Sequence, residues 1–100
     1  TGIAIGLPDN NYVGLVYARR GLAVKHGIAM SNGVGVIDSD YTGEIKIGLV
    51  NLSDTKYTIN PGERIAQLVI SPVIPAQPVE VEELDSTERG SGGFGSTGRI

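Results

Sequence analysis

The sequence predicts an all-β sandwich or barrel, and two observations carry that expectation. Segments of about five to eight residues, rich in Val and Ile, recur along the chain between clusters of Gly, Pro, Asn and Asp. Residues Glu44–Asn51 show the two-residue period of a half-buried strand: Ile45, Ile47 and Leu49 share one face, Glu44 and Lys46 the other. Only Arg20–His26 could form a short helical turn.

Taken in order, Gly2–Leu7 reads as the first strand, stopped by Pro8-Asp9-Asn10-Asn11, residues that favour turns through fixed φ and side-chain-to-backbone bonds. Tyr12–Ala18 is the second strand. The helical turn Arg20–His26 follows, with Gly27 as its C-terminal stop because glycine enters the left-handed region freely. Gly33–Ile37 and Glu44–Asn51 are strands joined by a polar tip with Gly43, as in a hairpin. Tyr57–Ile59 is a short strand, Asn60-Pro61-Gly62-Glu63 a turn, and Arg64–Val73 the last strand. Pro72, Pro75 and Pro78 then release the chain into an extended acidic linker, Val79–Asp85. The expected organisation is a β core over residues 1–78, then a linker and a mobile Gly-rich lid over residues 79–100. No internal repeat is evident. Residue 1 is Thr, and Thr1-Gly-Ile-Ala-Ile already reads as a strand, so a fragment or processed chain is expected.

One hundred residues suit a single domain with a modest core. The net charge of −3 argues against a nucleic-acid-binding surface, which needs clustered positive charge. No stretch is apolar for long enough to cross a membrane, and no signal peptide is visible; the absence of cysteine points to the cytoplasm, with a nuclear or viral origin left open. The absence of cysteine removes disulfides, thiolate catalysis and Cys-based zinc sites. Five of the eight basic residues are Arg, and Arg19-Arg20 and Arg89 lie beside glycines.

Several motifs fail on their context. Gly90-Ser-Gly92-Gly-Phe-Gly95 fits a dinucleotide-binding glycine pattern, but only five residues follow it, too few for the required helix. Asp38-Ser-Asp40 resembles the start of a calcium loop, yet its twelfth position is Leu49 where a bidentate Glu is needed. Asn51-Leu-Ser53 is a glycosylation sequon without a secretory signal. His26 is the only histidine, so any Ser-His-Asp triad would depend on it.

Three segments carry more chemistry. In Gly33–Ile45 an apolar strand ends at Asp38-Ser-Asp40-Tyr41, turns at Gly43 and returns as the alternating strand. This is the pattern of an ordinary hairpin with a polar tip, or of a rigid hairpin presenting a carboxylate as general base and a tyrosine to stack on a sugar. Arg19-Arg20-Gly21 offers guanidinium forks to a polyphosphate, or is a solvated pair. The tail from Arg89 holds the only Phe, Phe94, among five glycines, with Arg89, Arg99, Ser96 and Thr97 nearby. Glycines make such a tail costly to order, so it stays mobile until something holds it. Its donors and its ring suit the phosphates and base of a nucleotide.

Read together and in order, these segments resemble the trimeric dUTPases (deoxyuridine triphosphate nucleotidohydrolases). Of five family motifs, four are matched. Ala18-Arg19-Arg20-Gly21-Leu22-Ala23 is similar to the second, and Gly35-Val-Ile-Asp38-Ser-Asp40-Tyr41-Thr42-Gly43-Glu44-Ile45 to the third. Gly62-Glu63-Arg64-Ile65-Ala66-Gln67 is similar to the fourth, and Arg89 to Gly98 to the fifth. The first motif, Ala-Gly-x-Asp-Leu, is absent. Arg20 stands where the family has Ser, Thr42 replaces a commoner Arg and Ala18 a Pro.

The resemblance implies a distorted jelly-roll β fold and a homotrimer with active sites between subunits. It implies hydrolysis of dUTP to dUMP and diphosphate with magnesium, held mainly through the triphosphate and water, limiting uracil incorporation into DNA and supplying dUMP. By position, Asp38 would polarise the attacking water and Tyr41 would pack against the deoxyribose and exclude a 2′-hydroxyl. Asn32 and the backbone near Gly35 would read the uracil. Arg19, Arg20, Gly21, Gln67, Arg89, Ser96 and Thr97 fall at phosphate-binding positions. Phe94, beside Gly95, would cover the uracil ring, with the tail acting in trans. Two other readings are a dUTPase-like trimer that binds nucleotide or a partner without turnover, and a relative that deaminates dCTP.

Overall fold

The computed structural model of the protein describes residues 1–95 and residue 98. Its elements are β1 (Tyr12–Ala18), α1 (Arg20–His26), β2 (Ile28–Met30), β3 (Gly35–Ile37), β4 (Leu49–Asn51) and β5 (Ala66–Pro72). All pairings are antiparallel, giving a three-stranded sheet in the order β3-β1-β5 and a two-stranded sheet β2-β4.

β1 is the organising strand because it is hydrogen-bonded on both sides. It pairs along its full length with β5, from Tyr12 opposite Pro72 to Ala18 opposite Ala66, and over three residues with β3. Its buried positions, Gly14 and Val16, alternate as a two-residue period requires. Glycine at 14 allows a close approach, since a Cβ there would stand 3.2 Å from that of Ile37. Val16, Met30, Ile37 and Ile45 form the core cluster, flanked by Ile5, Ala18, Ile47, Leu49 and Ala66.

The helical turn forms where the sequence places it and ends at Gly27, whose φ of 69° is left-handed and whose N–H reaches the carbonyls of Ala23 and Leu22. A Cβ at residue 27 would also come within 2.9 Å of the Ser53 backbone nitrogen. Both features forbid a side chain. Gly27→Ala is therefore expected to destabilise the fold by about 2–3 kcal/mol, beyond the ~1–2 kcal/mol typical of a left-handed L-residue. A denaturant midpoint equal to that of the unsubstituted protein would contradict this.

Other expected strands come out shorter. Gly33–Ile37 reduces to β3, Arg64–Val73 to β5, and Glu44–Asn51 to β4. Residues 1–7 form no strand. They run beside residues 44–45, where the Ile45 N–H donates to the Ile3 carbonyl at 2.8 Å and Thr1 Oγ1 to the Ile45 carbonyl at 2.7 Å. Those contacts do not extend into a ladder. The alternation of 44–49 nevertheless holds: Ile45 is buried, Ile47 and Leu49 are half-buried, and Glu44 and Lys46 are exposed. Tyr57–Ile59 is no strand either, because its loop closes on itself. The Tyr57 hydroxyl donates to Glu63, whose other oxygen accepts the Asn60 N–H at 3.0 Å. The Tyr57 bond, followed by that of Asn60, holds the Glu63 carboxyl below its ordinary range, and the same Glu63 bond raises the Tyr57 phenol. The Tyr57 ring in turn lies 4.6 Å from that of His26.

The two sheets stay open, with no closed barrel among the described residues. The radius of gyration is 19.0 Å, against about 13 Å for a compact chain of this length. Much apolar surface is uncovered. Leu68, Val69 and Ile70 of β5 are exposed although they alternate between its two faces, and Val73, Ile74, Val79, Val81 and Leu84 follow them. Residues 79–95 contain no helix or strand.

Candidate functional site

β3 runs straight into the polar turn at Asp38–Tyr41, which is fixed by the Tyr41 N–H donating to the Asp38 carbonyl at 3.1 Å. The hairpin expected between Gly33–Ile37 and Glu44–Asn51 does not form, because β3 pairs with β1 and β4 with β2. A cavity of about 320 Å³ opens beside it. Its floor is the apolar core, Val16, Met30, Ile37 and Ile45, and its rim carries Asn32, Asp38, Tyr41, Glu44 and Lys46. Four sequence-predicted site residues thus meet in one place: Asn32, Gly35, Asp38 and Tyr41. An apolar floor with a few polar groups on the rim is the usual composition of a small-molecule site.

Each of these residues is placed by local geometry. The Asn32 carbonyl accepts the Val34 N–H at 2.9 Å, and Gly33 turns the chain with a φ of 73°. At Gly35 a Cβ would press on that of Val16 at 3.2 Å and come within 3.7 Å of the Asn32 amide nitrogen, so the bare backbone keeps this wall open. Tyr41 is half-exposed and its hydroxyl donates to the Glu44 carbonyl at 2.7 Å. Lys46 belongs to no motif, and Glu44 falls in the third motif without an expected role at the site. The signal for them was the alternation itself, which puts both on the exposed side of the segment that leads into β4. The Glu44 carboxylate accepts the Gly2 N–H at 2.6 Å, and that bond holds it below the ordinary carboxylate range.

A second group assembles at the far end of β1. Arg19 precedes α1, its carbonyl accepting the Ala23 N–H at 3.0 Å, and the exposed Arg20 and Gly21 begin the helix. Gln67 lies opposite Tyr17 and donates from Nε2 to the Ala18 carbonyl at 2.9 Å, which sets it beside Arg19. This group is not in the cavity. Gly14 pairs with Ile37, so Asp38 is level with Val13, six residues from Arg19. At ~3.3 Å per residue the two ends are about 20 Å apart.

The hydrogen bonds among the described tail residues are local. Arg89 Nε donates to the Gly92 carbonyl, the Gly92 N–H returns to Arg89, and the Gly90 N–H bonds Thr87 Oγ1 at 3.0 Å. Phe94 is fully exposed with a φ of 50°, and Gly95 follows it on the surface. Ser96 and Thr97 lie outside the described residues. Elsewhere, Asn51 of the sequon is fully engaged, its Nδ2 donating to the Thr55 carbonyl and its Oδ1 accepting from Ser53 N–H and Oγ. His26 packs on Tyr57. No three His, Asp or Glu side chains among the described residues converge as metal ligands, and no described helix is long and apolar enough to cross a membrane.

Comparison with known proteins matches this arrangement to one family. The family model for dUTPase covers residues 1–98. The chain is 54% identical over 99 residues to the deoxyuridine 5′-triphosphate nucleotidohydrolase of Idiomarina loihiensis, covering 99% of this chain and 66% of that protein. It thus spans about two thirds of the length of such relatives. Among solved structures it resembles the dUTPase of Staphylococcus bacteriophage 80alpha bound to dUPNHPP, with a TM-score of 0.80 and 31% identity over 96% of this chain and 72% of that one. A mutant dUTPase from phage phi11 of S. aureus, described with a structural Mg(II) ion, aligns with a TM-score of 0.69 and 30% identity over 83% of this chain and 69% of that one. These likenesses place the two open sheets in the jelly-roll β class that the sequence predicted.

Proposed function

The chain belongs to the dUTPase family, and on that premise we propose that it hydrolyses dUTP to dUMP and diphosphate in the cytoplasm. The observation that carries this reading is the cavity, which gathers Asn32, Gly35, Asp38 and Tyr41 around an apolar floor. The Asn32 amide and the open backbone at Gly35 supply donors and acceptors for a pyrimidine edge. Tyr41 supplies a flat wall for the pentose, and Asp38 a carboxylate facing solvent. Asp38 takes a proton from water as its oxygen bonds to the α-phosphorus, and the bond from that phosphorus to the bridging oxygen breaks to release diphosphate.

The phosphates fall to Arg19, Arg20, Gly21, Gln67, Arg89, Ser96 and Thr97. Arg19 is a bidentate donor for phosphate oxygens. One Nε2 proton of Gln67 holds Ala18, leaving the second for substrate. Magnesium would be held mainly through the substrate triphosphate and water, and would neutralise phosphate charge there.

The separation of about 20 Å between Asp38 and Arg19 favours a site completed by more than one protomer. A backbone span of that size is more than an Arg and an Asp side chain close between them. The uncovered apolar surface of β5 and of residues 73–84 favours assembly as well, because an unpaired strand edge and exposed valines are covered most readily by further copies. A homotrimer with the tail of one subunit closing a neighbour's site is the assembly proposed, with residues 1–78 as the β core and 79–100 as linker and lid.

The direct experiment is diphosphate release from dUTP by the intact protein in magnesium, with dCTP and dTTP alongside. Turnover confined to dUTP is expected. Ammonia released from dCTP would instead make the protein a deaminase, and tight binding of a dUTP analogue without turnover would make it a binding module. Sedimentation at micromolar concentration is expected to give a trimer, and a monomer would exclude the shared site.

A further inference from the structure

Gly43 is not a glycine for the sake of backbone freedom, since it is absent from the positive-φ residues. It is a glycine for want of room. A Cβ at this position would stand 2.7 Å from Tyr41 Oη, 2.8 Å from Cζ and 3.1 Å from Cε1. Real Cβ atoms do not approach that closely, so any side chain at 43 must displace the tyrosine ring.

The ring is held in place from the other side as well. The Tyr41 hydroxyl donates to the Glu44 carbonyl at 2.7 Å, and the Tyr41 N–H donates to the Asp38 carbonyl at 3.1 Å. Tyr41 is therefore folded back across its own turn, with its phenolic proton committed to the loop and its oxygen packed against Gly43. What it presents to the cavity is the carbon surface of the ring. A hydroxyl pressed against that surface gives up its water and finds no partner, which disfavours its binding.

We infer that Gly43 is a positioning residue for substrate selectivity: by leaving room for the Tyr41 ring it sets a pentose wall that rejects a 2′-hydroxyl. The inference rests on the proposed nucleotide site and deepens it. Gly43 touches no substrate and acts only through Tyr41.

The test is a double-substitution cycle in the intact protein, reading the ratio of kcat/KM for dUTP over UTP. Gly43→Ala is expected to lower that ratio about ten- to a hundredfold, the scale of a displacement of about 1 Å at a reacting site. Tyr41→Ala lowers it too, and adding Gly43→Ala to Tyr41→Ala changes it no further, because two substitutions acting through one group are not additive. Tyr41→Phe, which frees the ring from Glu44 without adding an atom, lowers the ratio by a smaller factor. A crystal structure of Gly43→Ala shows the ring moved off the Glu44 carbonyl. An unchanged ratio in Gly43→Ala, a second drop in the double variant, or an unmoved ring would each overturn the inference. Failure of the unsubstituted protein to hydrolyse dUTP defeats the proposed function instead. In that case the ring position and the relative binding of non-hydrolysable dUTP and UTP analogues still decide the role of Gly43.

Discussion

Asp38→Asn is expected to slow dUTP turnover by about 10²–10⁴-fold, the usual contribution of a positioned general base. The substitution preserves shape. The turn it sits in is held by the backbone carbonyl of Asp38, which accepts the Tyr41 N–H, and the amide leaves that bond alone. The side chain is exposed on the cavity rim, so no core contact is lost and the melting temperature should hold. What disappears is the ability to accept a proton from water at the moment its oxygen bonds to phosphorus. Binding should survive, because the cavity floor, the Asn32 amide and the arginines are untouched. Removing one negative charge near a triphosphate would if anything tighten it. A non-hydrolysable analogue titrated into the variant measures this separately from rate. Turnover equal to that of the unsubstituted protein would show that another group moves the proton.

The parts of this molecule that were legible in sequence are those fixed by neighbours along the chain. α1 starts and stops where Arg20–His26 and Gly27 predict, because a helical turn and its left-handed cap are local events. β1 matches its expected bounds for a similar reason: Asn10-Asn11 and Arg19-Arg20 bracket one apolar run. Asn32, Gly35, Asp38 and Tyr41 share a cavity because they lie on one short stretch, β3 and the turns that flank it, within ten residues of each other. Strands are different, since a segment becomes one only when a distant segment pairs with it. Ile45 and Ile47 alternate as predicted yet belong to no ladder, and Tyr57 turns to Glu63 in its own loop. The meeting of Gln67 with Ala18 depends on the β1–β5 register, which no local pattern announces. The polar face of 44–46 was visible in the sequence, but its place on the cavity rim depended on the fold.

Deleting residues 89–100 is expected to reduce kcat/KM for dUTP by about 10²–10³-fold while leaving the proposed trimer and its melting temperature nearly unchanged. Stability should hold because the tail's hydrogen bonds among the described residues are local, Arg89 to Gly92 and Gly90 to the exposed Thr87, and Phe94 is fully exposed. Nothing of the core leaves with it. Activity should fall because the tail brings two groups to a bound nucleotide. Stacking of a base on an aromatic ring is worth about 1–3 kcal/mol, and a hydrogen bond from a charged group such as Arg89 about 1.5–3 kcal/mol. The low ends of those two ranges together, about 2.5 kcal/mol, are already close to a hundredfold, and the phosphate contacts proposed for Ser96 and Thr97 help offset the entropy of ordering five glycines. The proposed site between protomers makes a sharper version possible. Tail-deleted chains keep Asp38, and Asp38→Asn chains keep the tail, so each trimer alone is nearly inactive. If the tail closes a neighbour's cavity, unfolding and refolding the two together should create sites with Asp38 from one chain and Phe94 from another, and turnover should return. If the tail serves its own chain, every mixed site lacks one group and turnover stays low. A lower melting temperature on deletion, measured without ligand, would show instead that the tail is a structural strap.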